Sequence, residues 1–373
     1  MDQFRYISRL RLSQFRNYAA ASLDLDHRHV VLTGPNGAGK TNLLEAVSLL
    51  SPGRGLRRAP FETLTQSGSE ANWAVAATLE TPGGPVDMGT GTTSGEGGRR
   101  VRINGANAKT IEAMSAYIRL LWLTPDMDGL FRGGASDRRR FLDRLVMTLI
   151  PDHGVAVSSY EKAMRQRNKL LDEGGEGSWL SAIETQMAEH AAAIYFARAD
   201  SLGHLQQLAS QSVDAKAFPA AKISLTPLFE DGHQPTSSST LEASLIALWR
   251  DARALDRAAG RTTMGPHRVD LEVMHAQKHM PAHLCSTGEQ KALLIGLVLA
   301  HARLVAKMTR ITPILLLDEV AAHLDPDRRT ALYSALNDLN TQCWMTGTDP
   351  MLFEALGAHA QTIYVTEGRL TPA

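Results

Sequence analysis

Gly34-Pro35-Asn36-Gly37-Ala38-Gly39-Lys40-Thr41 fits the phosphate-loop pattern G-x-x-x-x-G-K-[ST] at every fixed position. Glycines at those places let successive backbone N–H groups turn toward phosphate oxygens where a helix begins. Lys40 is expected to reach the β- and γ-phosphates of a bound nucleoside triphosphate, and the Thr41 hydroxyl to take one Mg²⁺ position. Far down the chain, Ile314-Leu315-Leu316-Leu317 closes on Asp318 and Glu319. An apolar run ending in two acids suits a buried strand that delivers carboxylates at its C-terminal end. Asp318 is expected to hold Mg²⁺, directly or through water, and Glu319 to accept the proton of an attacking water.

Other stretches carry chemistry with a plainer reading beside it. Ser286-Thr287-Gly288-Glu289 opens a long apolar helix. A hydroxyl, bare N–H groups and the helix dipole equip that end to bind an anion. The same spacing also describes a capping box, Glu289 standing three residues after Ser286. Arg54, Arg57 and Arg58, then Arg99, Arg100 and Arg102, then Arg132 and Arg138, Arg139 and Arg140 form basic clusters. Such arginines could neutralise DNA phosphates without reading bases; they could equally be solvated faces, or internal ion pairs with Asp137 and Asp143. His267, in Gly265-Pro266-His267-Arg268, reads as a structural turn residue or a site.

These groups need elements to position them. Val30-Val31-Leu32 reads as a buried strand before the phosphate loop, and Asn42 to Val47 as the helix after it. Residues 4 to 12 and 21 to 25 read as strands. Trp73 to Glu80, Val86 to Gly89 and Arg99 to Ile103 read as a meander with Gly-rich turns, and Tyr117 to Leu123 as one more strand. From Asp137 to about Ala259 the period turns helical, with stretches at 158–171, 179–209 and 241–259 and a less regular connection over 221–232. Val269 to Val273 returns to strand alternation, and the last hundred or so residues alternate helix and strand as in an α/β domain.

The chain of 373 residues has room for two or three lobes, and its 39 basic and 39 acidic side chains cancel. Any nucleic-acid contact must therefore come from a local patch. Cys285 and Cys343 offer neither a disulfide framework nor a zinc pattern, which suits a reducing cytosol. Met1 to Tyr6 lacks the pattern of a signal peptide, and the longest apolar stretch, near Ala292 to Ala300, is far short of a membrane span. A soluble cytoplasmic protein is expected.

The order phosphate loop, Ser-x-Gly segment, Asp-Glu strand resembles the ATP-binding-cassette (ABC) ATPases. That resemblance implies an ATP-dependent homodimer in which Ser286 and Gly288 of one subunit cap the γ-phosphate held by the other. It also places Asp325, in His323-Leu324-Asp325, at the dimer interface. Lys40 and Asp318 lie 278 residues apart, with a helical block between them. An insertion of that intermediate size, without sustained heptads, resembles the RecF-type recombination mediators. Leu10 to Tyr18, Thr124-Pro125-Asp126 with Arg138 to Asp143, and Thr263 to Leu271 support the match. The implied fold is α/β, an ABC-type P-loop ATPase head with an inserted, mostly helical second lobe. The expected divisions are 1–124, the N-terminal part of the ATPase lobe; 125–261, the helical insertion; and 262–373, the C-terminal part. The family implies ATP and Mg²⁺, double-stranded or single-strand gapped DNA, the partner proteins RecR and RecO, and a weak, DNA-stimulated ATPase acting as a switch. Two departures from the wider cassette pattern stand out. The Gln ending the strand into the helical lobe is missing near Leu123-Thr124-Pro125. The His after the penultimate strand is replaced within Cys343 to Thr348, leaving Thr346 or Thr348 as a candidate γ-phosphate sensor. The rival readings are a transporter's cytosolic ATPase subunit, and a metabolic P-loop kinase with the Ser286 segment as a mere cap.

Overall fold

The computed structural model describes residues 4–93, 98–210 and 217–372. The reading of Met1 to Tyr6 therefore falls partly outside the described residues. The chain forms two compact units. The first comprises Met1–Asp128, Gln211–Ala220 and Ser286–Ala373, and the second Gly129–Ser210 and Ala221–Cys285.

The first unit begins with β1 (Tyr6–Phe15), β2 (Tyr18–Asp24), β3 (His29–Thr33) and helix α1 (Lys40–Ser48). It continues with β4 (Ala74–Thr81), β5 (Gly84–Gly91), β6 (Arg100–Ile103), β7 (Ala106–Asn107) and β8 (Leu120–Leu123). The second unit holds α2 (Ala135–Leu149), α3 (His153–Glu173), α4 (Gly177–Ala209), β9 (Ala221–Leu225), α5 (Ser238–Asp251), α6 (Arg253–Ala259), β10 (Leu271–His275) and β11 (Met280–Pro281). The chain then returns to the first unit with α7 (Thr287–Thr309), β12 (Ile314–Leu317), α8 (Pro326–Asp338), β13 (Cys343–Gly347), β14 (Ala360–Thr366) and β15 (Arg369–Pro372).

Two six-stranded sheets make the first unit. One is an antiparallel meander, β2-β1-β4-β5-β6-β7. The other runs β15-β14-β3-β13-β12-β8, all its neighbours parallel except β14 and β15. Strands β3, β12, β13 and β8 are buried along their whole length, in keeping with mostly apolar sequences that do not alternate with exposed residues. In β4, Val75, Ala77 and Leu79 are buried while their neighbours are more open, the alternation of a sheet covered on one face. Phe15, Tyr18, Trp73, Leu43, Leu316 and Trp344 share one core. Gln342, fully buried, ties the two sheets together. Its Oε1 accepts from Ile7 N and Trp344 Nε1, and its Nε2 donates to Ile7 O and Asp26 O. Among the described residues α7 is the one helix long and apolar enough to cross a bilayer, and two-thirds of its apolar window is buried inside the protein.

The second unit is helical with a small antiparallel sheet, β11-β10-β9. Tyr160 of α3, Met187, Ala188, Ala191 and Ala192 of α4, and Leu241, Leu245 and Trp249 of α5 form its core. Threaded through it is a buried charge network. Arg167 binds Glu184 at 3.0 Å and Asp256 at 2.6 Å, and donates to Trp249 O, all three ionic side chains being fully buried. Arg253 adds a second cation to Glu184. Nearby in the same unit Arg198 grips Asp143 with both arms, and His153 binds the same carboxylate.

Several expectations change in detail. Residues 262–285, expected with the C-terminal part of the ATPase lobe, cluster with the second unit because β10 pairs with β9. Residues 221–225, read as irregular, are that strand. The strand expected over 117–123 is only β8, preceded by a 3₁₀ turn at Ile111–Ala116. The helix expected over 241–259 breaks at Ala252 into α5 and α6.

Candidate nucleotide-binding site

Gly34 to Gly39 turns from β3 into α1 under tight steric control. Gly34 has φ 140°, and a Cβ there would lie 2.1 Å from Val365 O, so only glycine fits. Gly39, φ 113°, has the side chains of Asn17 and Tyr18 where a Cβ would stand. Those two residues, in and after the β1–β2 turn, also hold the loop's carbonyls. Asn17 Nδ2 donates to Ala38 O at 3.0 Å and Tyr18 OH to Gly39 O at 3.0 Å. Gly368 N adds a bond to Ala38 O, and Asn42 Nδ2 locks Asn17 at 2.7 Å. Helix α1 starts with no side-chain cap and no acid in its first turn, which leaves its positive end for an anion.

Lys40 is buried, and its Nζ donates to Gly34 O at 2.7 Å and Pro35 O at 2.8 Å. Burial pulls its pKa down, opposed by the nearby Glu319 and Asp318 carboxylates. Strand β12 lies beside β13 in parallel register, Leu317 abreast of Met345, so Asp318 and Thr346 emerge side by side. Asp318 Oδ1 accepts from Thr346 Oγ1 at 2.7 Å and from Thr41 Oγ1 at 3.0 Å. Burial raises the Asp318 pKa, against the lowering effect of those two hydroxyls. Glu319, half-buried, turns through a left-handed φ of 53°, and its N–H donates to Thr346 Oγ1 at 2.9 Å. The structure thus brings together Lys40, Thr41, Asp318 and Glu319. Thr41 and Asp318 offer hard oxygens of the kind that Mg²⁺ takes alongside phosphate and water, so the donor set fits that ion. Among the described residues no group of three or more His, Cys, Asp and Glu could hold a metal.

The Ser286-Thr287-Gly288 segment and Asp325 take no part in these contacts. Ser286, Thr287 and Gly288 are exposed. Ser286 closes a full capping box with Glu289, as the plainer reading expected. Asp325, also exposed, caps α8 by accepting from Arg328 N, and Arg328 Nη1 reaches Gly288 O at 3.4 Å. One arginine therefore links the helix end at Gly288 to the loop at Asp325.

The basic clusters divide. Arg99 is buried, donating to Leu49 O and Ser51 O, with its pKa lowered to about 10 by burial; it is a structural residue of the first unit. Arg57 binds Asn42 and Glu45, and Arg16 binds both oxygens of the same Glu45; both arginines line a polar recess of about 450 Å³ beside α1. Arg138 is paired with Asp270 at 2.6 Å and Arg140 with Asp137. Arg139 is half-buried, while Arg54 and Arg58 are exposed. His267 is a structural residue: Nδ1 meets Tyr160 OH at 2.7 Å, Nε2 meets Thr262 O at 3.0 Å, and burial lowers its pKa to about 4. Thr346 is what sequence reasoning placed least well. It is buried and bonded to the acids, whereas Thr348 is exposed.

Residues 6–370 match the family described as RecF/RecN/SMC N terminal domain. The chain is 54% identical over 367 residues to the DNA replication and repair protein RecF of Rhizobium leguminosarum bv. trifolii, covering 98% of each chain. It is likewise 54% identical over 370 residues to RecF of Agrobacterium fabrum, again with 98% of each covered. In fold it is similar to the solved recombination mediator protein RecF-ATPrS of the RecFOR pathway, with TM-score 0.85, 22% identity, and 99% and 98% of the chains covered. A more distant likeness, TM-score 0.54 at 16% identity, covers 99% of this chain and 96% of an Smc head domain derived from Pyrococcus furiosus.

Proposed function

The chain belongs to the RecF family, and from that membership and the geometry around Lys40 we propose that it is an ATP-dependent DNA-binding protein of recombinational repair and replication restart. The observation that carries this reading is the meeting of Lys40, Thr41, Asp318 and Glu319 at the C-terminal ends of β3 and β12. The loop's amides and Lys40 neutralise the triphosphate, and Glu319 takes the proton of the attacking water. Thr41 and Asp318 would hold Mg²⁺, which when bound offsets charge on the β- and γ-phosphates. ATP closes two copies, Ser286 and Gly288 of one capping the γ-phosphate held by the other, with Asp325 at the junction. The exposure of Ser286, Gly288 and Asp325, and the Arg328 link between the last two, support this arrangement. The closed dimer holds double-stranded or gapped DNA through phosphates, and slow hydrolysis releases it, helping recombinase load on single-stranded gaps. RecR and RecO are the proposed partners, in keeping with the pathway of the similar solved RecF, and the cytoplasm the proposed location. Whole-length similarity to RecF relatives favours this reading over a transporter subunit.

The test is Ser286→Arg, which sets a bulky cation at the proposed junction and leaves the same chain's phosphate loop untouched. Monomer affinity for ATP should hold while dimerisation and turnover collapse. Mixing with Lys40→Met restores one complete site per heterodimer, and part of the ATPase should return. Sedimentation with ATP and a turnover assay decide; a Ser286→Arg protein that dimerises and hydrolyses like wild type sinks the two-subunit site.

A further inference from the structure

We propose that Thr346 is a positioning residue for hydrolysis: its one hydroxyl fixes both the Asp318 carboxylate and the Glu319 backbone. The inference rests on the ATPase reading above and deepens it. Thr346 Oγ1 gives its proton to Asp318 Oδ1 at 2.7 Å and receives the Glu319 N–H at 2.9 Å. A hydroxyl has a single proton. With that proton spent on Asp318, Thr346 has none to offer a γ-phosphate, so its part differs from that of a phosphate sensor.

The geometry shows what the hydroxyl controls. Thr41 also donates to Oδ1, so both hydrogen bonds fall on one oxygen of Asp318 and neither occupies Oδ2. Glu319 follows directly, with a left-handed φ that a side chain rarely adopts unaided. The bond from its N–H to Thr346 holds that turn, and with it the direction in which the Glu319 carboxylate leaves the strand. Thr346 is itself immobilised, buried in β13 between β12 and β3, where it pairs with Leu32 two residues before Gly34. One strand between the phosphate loop and the acids therefore sets the distance between them. Sub-ångström placement of this kind is what general-base catalysis depends on.

The experiment compares wild type with Thr346→Val, which keeps the branched shape and removes the hydroxyl, and Thr346→Ser, which keeps the hydroxyl. Turnover of Thr346→Val should fall by about 10- to 100-fold, the usual effect of losing a group that orients a metal ligand. KM for ATP should move little, and ATP binding without divalent ions should not change. The Mg²⁺ concentration needed for tight nucleotide binding, read by fluorescence of a labelled analogue, should rise by a similar factor. Thr346→Ser should restore both to within a few-fold. If Thr346→Val does not fold, Thr346→Ala carries the same test. Normal turnover with normal Mg²⁺ dependence in the Val protein overturns the inference, and so does an equal loss in the Ser protein. Glu319→Gln is run in parallel: hydrolysis indifferent to Glu319 overturns the ATPase reading and this inference together, whereas Glu319-dependent hydrolysis indifferent to Thr346 overturns the inference alone.

Discussion

The helical unit and the phosphate loop bury charge in opposite ways. In the helical unit each buried charge has an opposite charge against it: Arg167 meets Glu184 and Asp256, and Arg198 meets Asp143. In the nucleotide unit the buried charges at the phosphate loop lean on neutral groups. Lys40 rests on two carbonyls, and Asp318 on two hydroxyls. Paired charges are spent on one another and on the shape of the lobe. Charges held by dipoles keep most of their field for something that arrives from outside, here phosphate oxygens and a cation. Buried charge alone does not mark a site, and neither does a neutral partner alone, since Arg99 rests on two carbonyls as a structural residue; what sets Lys40 and Asp318 apart is that both stand at the phosphate loop.

That contrast breaks most visibly at Arg167. Arg167→Met takes from buried Asp256 its only ion-pair partner among the described residues, leaves Glu184 with Arg253 alone, and should cost about 3–5 kcal/mol of stability, measured by urea unfolding. A loss under about 1 kcal/mol would mean the network is slack. Acidification tests the same lobe at His267. Its folded pKa of about 4 lies below the ordinary 6.5, so the native state binds fewer protons than the unfolded chain between those values. Stability from this residue is whole above pH 6.5 and drains away as pH falls toward 4, by about 3 kcal/mol in all. His267→Asn should flatten that slope in a pH series of thermal melts. The smallest effect on stability is expected at the loop. Lys40→Met removes a cation that opposes no acid directly, and should shift unfolding by no more than about 1 kcal/mol. Its ATP affinity should nevertheless drop by about 10²-fold, since the phosphates lose their main positive contact. A Lys40→Met protein as fragile as Arg167→Met would erase the distinction between the lobes.

The loop, its flanking strand and helix, and the acids of β12 were legible in sequence because each is a local pattern: fixed glycines, an unbroken apolar run, a charge at its end. What escaped depends on long-range pairing. Strand β9 has only Ala221, Ile223 and Leu225 on its apolar side, too few to announce a strand without β10 beside it. That same pairing draws residues 262–285 into the helical unit. Arg167 sits in Met164-Arg165-Gln166-Arg167-Asn168-Lys169, a stretch that reads as any solvated helix, yet its side chain is fully buried. The arginines around Arg99 and Arg138 looked alike in sequence, and the fold separates them by what stands opposite each side chain. Thr346 carried a usable signal, a hydroxyl in a strand otherwise apolar, but its partners lie in another strand.

Gln342 has a consequence for how the nucleotide unit comes apart. Its amide completes four hydrogen bonds, two of them to the Ile7 backbone in the other sheet and the others to Asp26 and Trp344. To peel the antiparallel meander away, the chain must strand that amide and the Ile7 backbone in a dry core, a penalty of several kcal/mol by ordinary desolvation. Partial opening along this seam is therefore rarer than opening at any loop, and the two sheets behave as a single cooperative foldon. The slowest hydrogen–deuterium exchange in the unit belongs at Ile7, in the other sheet from the strand that leads into the phosphate loop, where exchange requires the whole unit to unfold.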